Sequence, residues 1–387
     1  MLELLWLLLP VAAASGWYAG RRRREPARAP ARHVPTEYFK GLNYLLNEQP
    51  DKAIEVFVRM VEVDSETVET HFALGHLFRR RGEVDRAIRI HQNLIARPTL
   101  TPEQRAQALL ALGEDYMRAG LFDRAENLFA ELVESGAHTV PALRHLIDIY
   151  QQEKDWEKAI DACRRLQAAT GRSMAPVIAH YHCEMAEQAR RAGDPARARQ
   201  LLKRALSQDP ACVRASILLG DLEAAGGNLR AALKAWRRVV EQDVEYLPEI
   251  VERVASAYRG LDDSEGYERW LREVMGRYEG ISPMLALAEH LRQRAGDRAA
   301  ADFLADQLRR RPSVRGLARL IDLRLDETSG EAREQMLILR DLVGKLLEGR
   351  PVYKCRVCGF EGKQLHWQCP SCKGWSTVKP IRGVEGE

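Results

Sequence analysis

Three glycines set the register of this chain. Gly41 is followed twelve residues later by Ala53, Gly75 by Ala87 and Gly113 by Ala125. Large residues hold fixed offsets around them: Tyr44 and Phe57 in the first copy, Leu74 and Phe78 in the second, Tyr116 and Phe129 in the third. The clearest copy, His71 to Ile95, reads HFALGHLFRRRGEVDRAIRIHQNLI. Small residues at that spacing, within a period of about 34, describe two antiparallel helices per unit, which cross where the small residues stand. The large residues fill the space between neighbours. One pair cannot bury its apolar face, so the pattern commits the chain to a stack.

This is the tetratricopeptide (TPR) spacing. A fourth copy carries Leu146, Tyr150, Trp156 and Ala159, with Ile147 at the glycine position; a fifth has Met185, Ala186, Gly193 and Ala198; a sixth has Leu219, Gly220, Gly227 and Ala232. Ala255 with Tyr258, and Ala288 with Gly296, mark two degenerate copies, and Arg315 to Leu325 begins another. An all-α solenoid of about eight to nine repeats is therefore expected over residues 37–330. Two insertions interrupt the period. In the first, Pro98 to Gln104, Thr101 is placed as N-cap and Pro102 at the first helical position; the second is Ala169 to Pro176. Residues 331–349 place Met336, Leu339, Val343 and Leu346 on one helical face, expected to cap the array against the last domain.

Residues 1–20 are apolar except for Glu3, and about twenty helical residues span roughly 30 Å of hydrocarbon. Arg21 to Arg24 follow at once. The positive-inside rule keeps that cluster in the cytoplasm, so the segment reads as a single transmembrane helix with its N-terminus outside and Trp17 and Tyr18 in the interfacial belt. A cleaved signal peptide would need a basic start that this segment lacks. Residues 21–36, rich in Pro, Ala and Arg, form a basic juxtamembrane linker. The formal charge of +4 is unevenly spread: residues 41–349 carry 45 basic and 49 acidic side chains, which argues against a nucleic-acid groove along the array. Of seven cysteines, Cys163, Cys183 and Cys212 lie singly in repeats, a layout that fits no secreted disulfide framework.

The remaining four form two CxxC knuckles, Cys355 with Cys358 and Cys369 with Cys372, about ten residues apart, able to deliver four thiolates tetrahedrally to one ion. Gly359 follows the first pair where a tight knuckle needs positive φ. Residues 350–387 are too few to fold on an apolar core alone, so metal binding supplies folding free energy, with Tyr353, Phe360, Trp367 and Trp375 as the expected small core. With no open ligand position the site reads as structural; zinc is favoured, and iron is the rival. His366 is expected to pack on the ribbon surface, and His180 and Cys183, one helical turn apart, to pack within a repeat.

No phosphate loop, HExxH or GxSxG is present, and no nucleophile is assembled with a base, so no catalysis is expected. The concave face of such a stack is lined by set positions of each first helix, here Phe72, His76, Arg79, Glu114, Arg118, Asp148 and Gln152. These are the candidate partner-binding residues, reading a peptide or protein by charge and apolar anchors. Arg79 and Arg118 are expected to be replaceable by Glu without unfolding the array.

Anchor, TPR array and four-cysteine ribbon in that order resemble the lipopolysaccharide assembly protein B (LapB, or YciM) family. LELLWLLLPVAAA with GRR, LFRRRGEVDRAIRIHQ, and HWQCPSCKGWSTVKPIRG carry the resemblance over nearly the whole chain. It implies a rubredoxin-type ribbon packed on the repeats, with Cys355, Cys358, Cys369 and Cys372 as metal ligands. It also implies a regulatory adaptor in the inner membrane, N-terminus periplasmic and TPR and metal domains cytoplasmic. That adaptor acts with the protease FtsH in degrading the deacetylase LpxC, is restrained by LapC (YejM or PbgA), and has lipopolysaccharide itself as a candidate ligand. A scaffold for lipopolysaccharide synthesis and export enzymes is the alternative, and electron transfer through an iron site a third.

Overall fold

The computed structural model describes residues 13–18, 36–47, 49–63, 68–325, 327–384 and 386–387. Most of the expected anchor and linker, residues 1–36, lies outside them. Among the described residues no helix is long and apolar enough to cross a membrane.

Antiparallel helix pairs run through the chain: α1 (Thr36–Leu46) with α2 (Pro50–Val63), α3 (Val68–Arg81) with α4 (Val84–Ile95), and α5 (Pro102–Arg118) with α6 (Phe122–Ser135). After these come α7 (Thr139–Glu153) with α8 (Trp156–Thr170), α9 (Ala175–Arg191) with α10 (Pro195–Gln208), and α11 (Val213–Ala225) with α12 (Leu229–Gln242). The last are α13 (Pro248–Gly260) with α14 (Ser264–Arg277), α15 (Ser282–Ala295) with α16 (Asp297–Arg310), and α17 (Val314–Leu325) with α18 (Glu331–Leu347). The degenerate repeats are thus complete helix pairs. Odd numbers are the first helices of their pairs. The chain divides into two compact units, residues 1–142 and 143–387.

What the glycines do is specific. Each receives the side chain sixteen residues on: a Cβ on Gly41 would lie 2.6 Å from the Phe57 ring, and one on Gly113 would lie 2.5 Å from Phe129. Gly75 is filled in the same way by His91, and Gly220 by Trp236. Where the small residue is alanine the partner is leucine, as in Ala186 with Leu202 and Ala288 with Leu304, which share buried clusters. Ile147, the largest residue at this position, has the small Cys163 in that register, and both are buried. Summed volume is held roughly constant, as close packing between two helices requires.

The first insertion ends as read: the Thr101 hydroxyl accepts from Gln104 N, the Gln104 side chain accepts from Thr101 N, and Pro102 opens α5. The expected cap differs. α18 packs on α17 through Val343 and Met336 against Ile321 and Leu325, while Leu339 and Leu346 are 51% and 56% exposed. It closes its own pair, and the last domain sits elsewhere. That domain is a three-stranded antiparallel sheet, β1 (Tyr353–Cys355) between β2 (Glu361–Gly362) and β3 (Val378–Pro380), with Tyr353 opposite both Gly362 and Pro380.

A four-cysteine centre docked on the repeats

The two knuckles are built alike. After Cys358, Gly359 takes φ +78° and its N–H donates back to Cys355 O at 3.1 Å; after Cys372, Lys373 takes φ +58° and donates to Cys369 O at 3.0 Å. Each left-handed residue turns the chain so that both sulfurs of a knuckle face inward. The four Sγ atoms lie within 4.8 Å of one another, with Cys355 to Cys372 at 3.8 Å and Cys358 to Cys369 at 3.6 Å. A tetrahedron with metal–sulfur bonds of about 2.3 Å has edges of about 3.8 Å, so the donor set fits one tetrathiolate ion. Burial opposes the Cys355 thiolate, but Thr377 Oγ1 at 3.3 Å and the backbone N–H groups of Cys358 and Val357 bring its pKa down to about 6. That favours the ligating form at neutral pH. When bound, the ion cross-links β1 to the 369–372 knuckle. His366 sits against Phe360, ring centroids 5.9 Å apart.

The ribbon's own core is smaller than expected. Cys355, Cys369 and Val378 are buried in it, with Tyr353, Phe360 and Leu365 packed against them. Trp367 and Trp375 do not join that core. Each faces a repeat aromatic: Trp375 stacks on His180 of α9 with centroids 4.7 Å apart and planes 19° apart, and Trp367 packs on Tyr246 at 5.2 Å. A ribbon this small has no room for two indoles, so they are spent on the array instead.

Polar contacts frame the aromatic ones. The His180 Nε2 and Ser376 Oγ share a 2.8 Å hydrogen bond, and the Tyr246 hydroxyl lies 3.2 Å from the carbonyls of both Ser376 and Val378. Gln151 of α7 accepts from Gln368 Nε2 at 2.9 Å and from the Trp375 indole at 3.3 Å. Tyr353 donates to Glu249 of α13 at 2.5 Å, Lys379 pairs with Asp243 and lies 4.0 Å over the Tyr246 ring, and Arg382 pairs with Glu245 at 3.2 Å. The ribbon therefore rests on first helices of successive pairs and on the 244–246 turn between α12 and α13. Burial, then the Arg214 charge, hold the His180 pKa down to about 3, so the ring is neutral in place. Gln151, His180, Tyr246 and Glu249 were not singled out as ribbon contacts by the sequence; the surplus tryptophans were the available signal.

The candidate partner-binding residues fare unevenly. Phe72 is buried among Leu94, Ala108 and Ala111, between helix pairs, and does not face a groove. Arg79 is engaged within its own unit: Nη1 donates to Asp115 at 2.8 Å and to Ala111 O at 2.9 Å, and Nη2 lies 2.6 Å from both Glu114 and His76 Nδ1. Asp115 is fully buried and also meets His91 Nδ1 at 2.5 Å. Arg79 and Glu114 thus tie α3 to α5, and the expectation that Arg79 is freely replaceable is corrected. The His76 pKa is lowered, by burial first and then by Arg79. Arg118 is exposed on α5. In the second unit Asp148 and Gln152 are exposed on α7, flanking the Gln151 that meets the ribbon; desolvation by the surrounding protein nevertheless raises the Asp148 pKa, with His145 opposing it. Cys183 lies 4.0 Å from Cys212, so it and His180 serve separate contacts.

Comparison with known proteins agrees with this architecture. A profile described as a rubredoxin metal binding domain matches residues 353–380, and tetratricopeptide repeat profiles match 70–106, 110–173 and 183–248. Lipopolysaccharide assembly protein B of Escherichia coli (strain K12) is 42% identical over 388 residues, covering all of both chains. The protein of the same name from Haemophilus influenzae (strain ATCC 51907 / DSM 11121 / KW20 / Rd) is 36% identical over 396 residues, again covering both completely. Among solved structures, the MamA protein superposes with a TM-score of 0.32 at 22% identity, over 48% of this chain and 96% of that one. With both knuckles and the repeat register inside an alignment that runs from end to end, the chain belongs to the lipopolysaccharide assembly protein B family.

Proposed function

We propose that the chain is an inner-membrane adaptor in lipopolysaccharide assembly that promotes FtsH-dependent proteolysis of the deacetylase LpxC. The observation that carries the reading is the whole-length relationship to proteins named for lipopolysaccharide assembly. An array whose first helices already hold a ribbon through side-chain contacts is suited to gripping proteins, which is what an adaptor does. In this reading a single N-terminal helix anchors the chain, N-terminus periplasmic, and keeps the repeats and ribbon in the cytoplasm beside the protease. A short tether of that kind raises the effective concentration of substrate at the protease. LapC is the proposed restraint, lipopolysaccharide a proposed ligand, and zinc the proposed structural ion.

The test is a pulse-chase of the LpxC half-life in cells carrying the full chain, residues 21–387 alone, or Cys355→Ser with Cys358→Ser. A longer half-life in both variants, with the repeat protein still present, supports the adaptor. An unchanged half-life in all three and in a full deletion overturns it in favour of a scaffold for synthesis and export enzymes.

A further inference from the structure

Residues 381–384, with 386 and 387, close on one another over the first turns of α15 and α17. Glu387 N–H donates to Ile381 O at 2.6 Å, Gly383 N–H to Glu387 O at 3.0 Å, and Gly386 N–H to Gly383 O at 3.1 Å. Gly386 lies so close to Ile381 O that a Cβ there would overlap it. The loop delivers Glu387, only 9% exposed, to two donors: Ser282 N–H in the first turn of α15 at 3.2 Å, and Arg315 Nη1 of α17 at 3.4 Å. Val314 N–H, also in the first turn of α17, donates to Val384 O at 2.8 Å.

Two cavities adjoin this contact. One of about 350 Å³ lies between Met284, Arg311 and Arg382. Its neighbour, about 440 Å³, is apolar, lined by Leu308, Leu317 and Leu320. Val384 borders both, yet it is 55% exposed and Leu317 is 44% exposed. The carboxylate socket is filled; the apolar one is not.

We propose that this surface is a docking site for an acidic peptide segment of a partner protein, which Val384 and Glu387 occupy in cis. The pattern it reads is an apolar residue three positions before an acidic one. The acidic side chain is recognised by a helix N-terminal N–H together with a guanidinium, the backbone by Val314, and the apolar residue by the open cavity. A tethered occupant is present at high effective concentration, so a competitor succeeds only by fitting better. Valine leaves room for that: leucine or phenylalanine at its position buries more apolar surface in the same cavity.

The experiment measures binding of a labelled peptide IRGFEGE, the 381–387 sequence with phenylalanine in place of Val384, to the full chain and to its Gly386→Ala variant. Overlap with Ile381 O in the variant should expel the loop. The variant should bind at least about tenfold more tightly than the parent chain, IRGVEGE should bind more weakly than IRGFEGE, and adding Arg315→Ala should remove most of the gain. Glu387→Ala, which empties the socket without backbone overlap, provides the same comparison if Gly386→Ala alters the melting temperature or metal content. Absence of IRGFEGE binding to both variants overturns the proposal, as does binding indifferent to Arg315→Ala. Dimerisation of Gly386→Ala by loop exchange, without peptide binding, assigns the site to a second copy and overturns the partner reading.

Discussion

The indole of Trp375 lies flat on the imidazole of His180, centroids 4.7 Å apart and planes within 19°, joining a residue of the metal ribbon to one 195 positions earlier in the second unit. Arg214 approaches the other ring system, 5.9 Å from the Trp375 centroid, and Ser376 binds the His180 edge. A neutral imidazole suits this place, because a protonated ring would sit buried beside a guanidinium.

Stability of the folded chain should therefore depend on pH. His180 has an ordinary value of 6.5 and a docked value near 3, lowered by burial first and Arg214 second. The unfolded chain takes a proton as pH falls through 6.5, whereas the folded chain, with the ribbon docked, does not until about 3. Stability is complete above 6.5 and declines between those values, by up to about 1.4 kcal/mol per pH unit. Tryptophan fluorescence during denaturant titration, from about pH 8 to about pH 4.5, checks this. His180→Gln should flatten the profile across that window; an unaltered slope rules out His180 as its source.

Metal removal should unfold the ribbon and leave the helices. The ribbon buries little besides Cys355, Cys369 and Val378, so without the ion its free energy of folding is lost. A thiol-competing chelator, or Cys355→Ser with Cys358→Ser, should red-shift emission from Trp367 and Trp375 while the helical far-ultraviolet signal persists. Elemental analysis of the untreated protein identifies the ion; a red ferric tetrathiolate in place of a colourless zinc site would overturn the zinc assignment.

The repeat register and the four ligands were legible because both are local spacings. A small residue every 34 or so positions, and two CxxC pairs, need no tertiary knowledge. What escaped was long-range. Trp367 and Trp375 read as core because sequence does not show how little interior a ribbon has, and their partners His180 and Tyr246 sit in helices with no mark of a second domain. Phe72 and Arg79 were assigned to a groove by their helical phase alone. A turn of α3 that faces α5 has the same phase as one that faces solvent.

Arg79 and Arg118 should separate folding from recognition. Arg79→Glu leaves Asp115 buried without its guanidinium and adds a like charge beside it, which should destabilise the first unit by about 3–5 kcal/mol. Arg118→Glu, on an exposed residue, should change stability by less than about 0.5 kcal/mol. Urea melts of the two variants give the comparison. Loss of partner co-purification with Arg118→Glu would then report on the concave face, whereas the same loss with Arg79→Glu would report only on folding. Equal midpoints for the two variants would refute the clamp between α3 and α5.

The size rule between a first-helix position and the residue sixteen later predicts a rescue. Gly220 is filled by the Trp236 indole, whose N–H lies 3.2 Å from Ile217 O and 3.1 Å from Asp221, so the ring is pinned and has little freedom to yield. Gly220→Ala alone should cost about 1–3 kcal/mol by overpacking, and Trp236→Leu alone should cost more, because it empties a buried site. Together they recreate the alanine–leucine pairing that Ala186 with Leu202 and Ala288 with Leu304 already use. The double variant should therefore be more stable than the sum of the single losses by about 1 kcal/mol or more, a coupling that a double-mutant cycle in urea measures directly. Strict additivity would mean that the two positions do not share one volume, and the register would then reflect helix crossing alone.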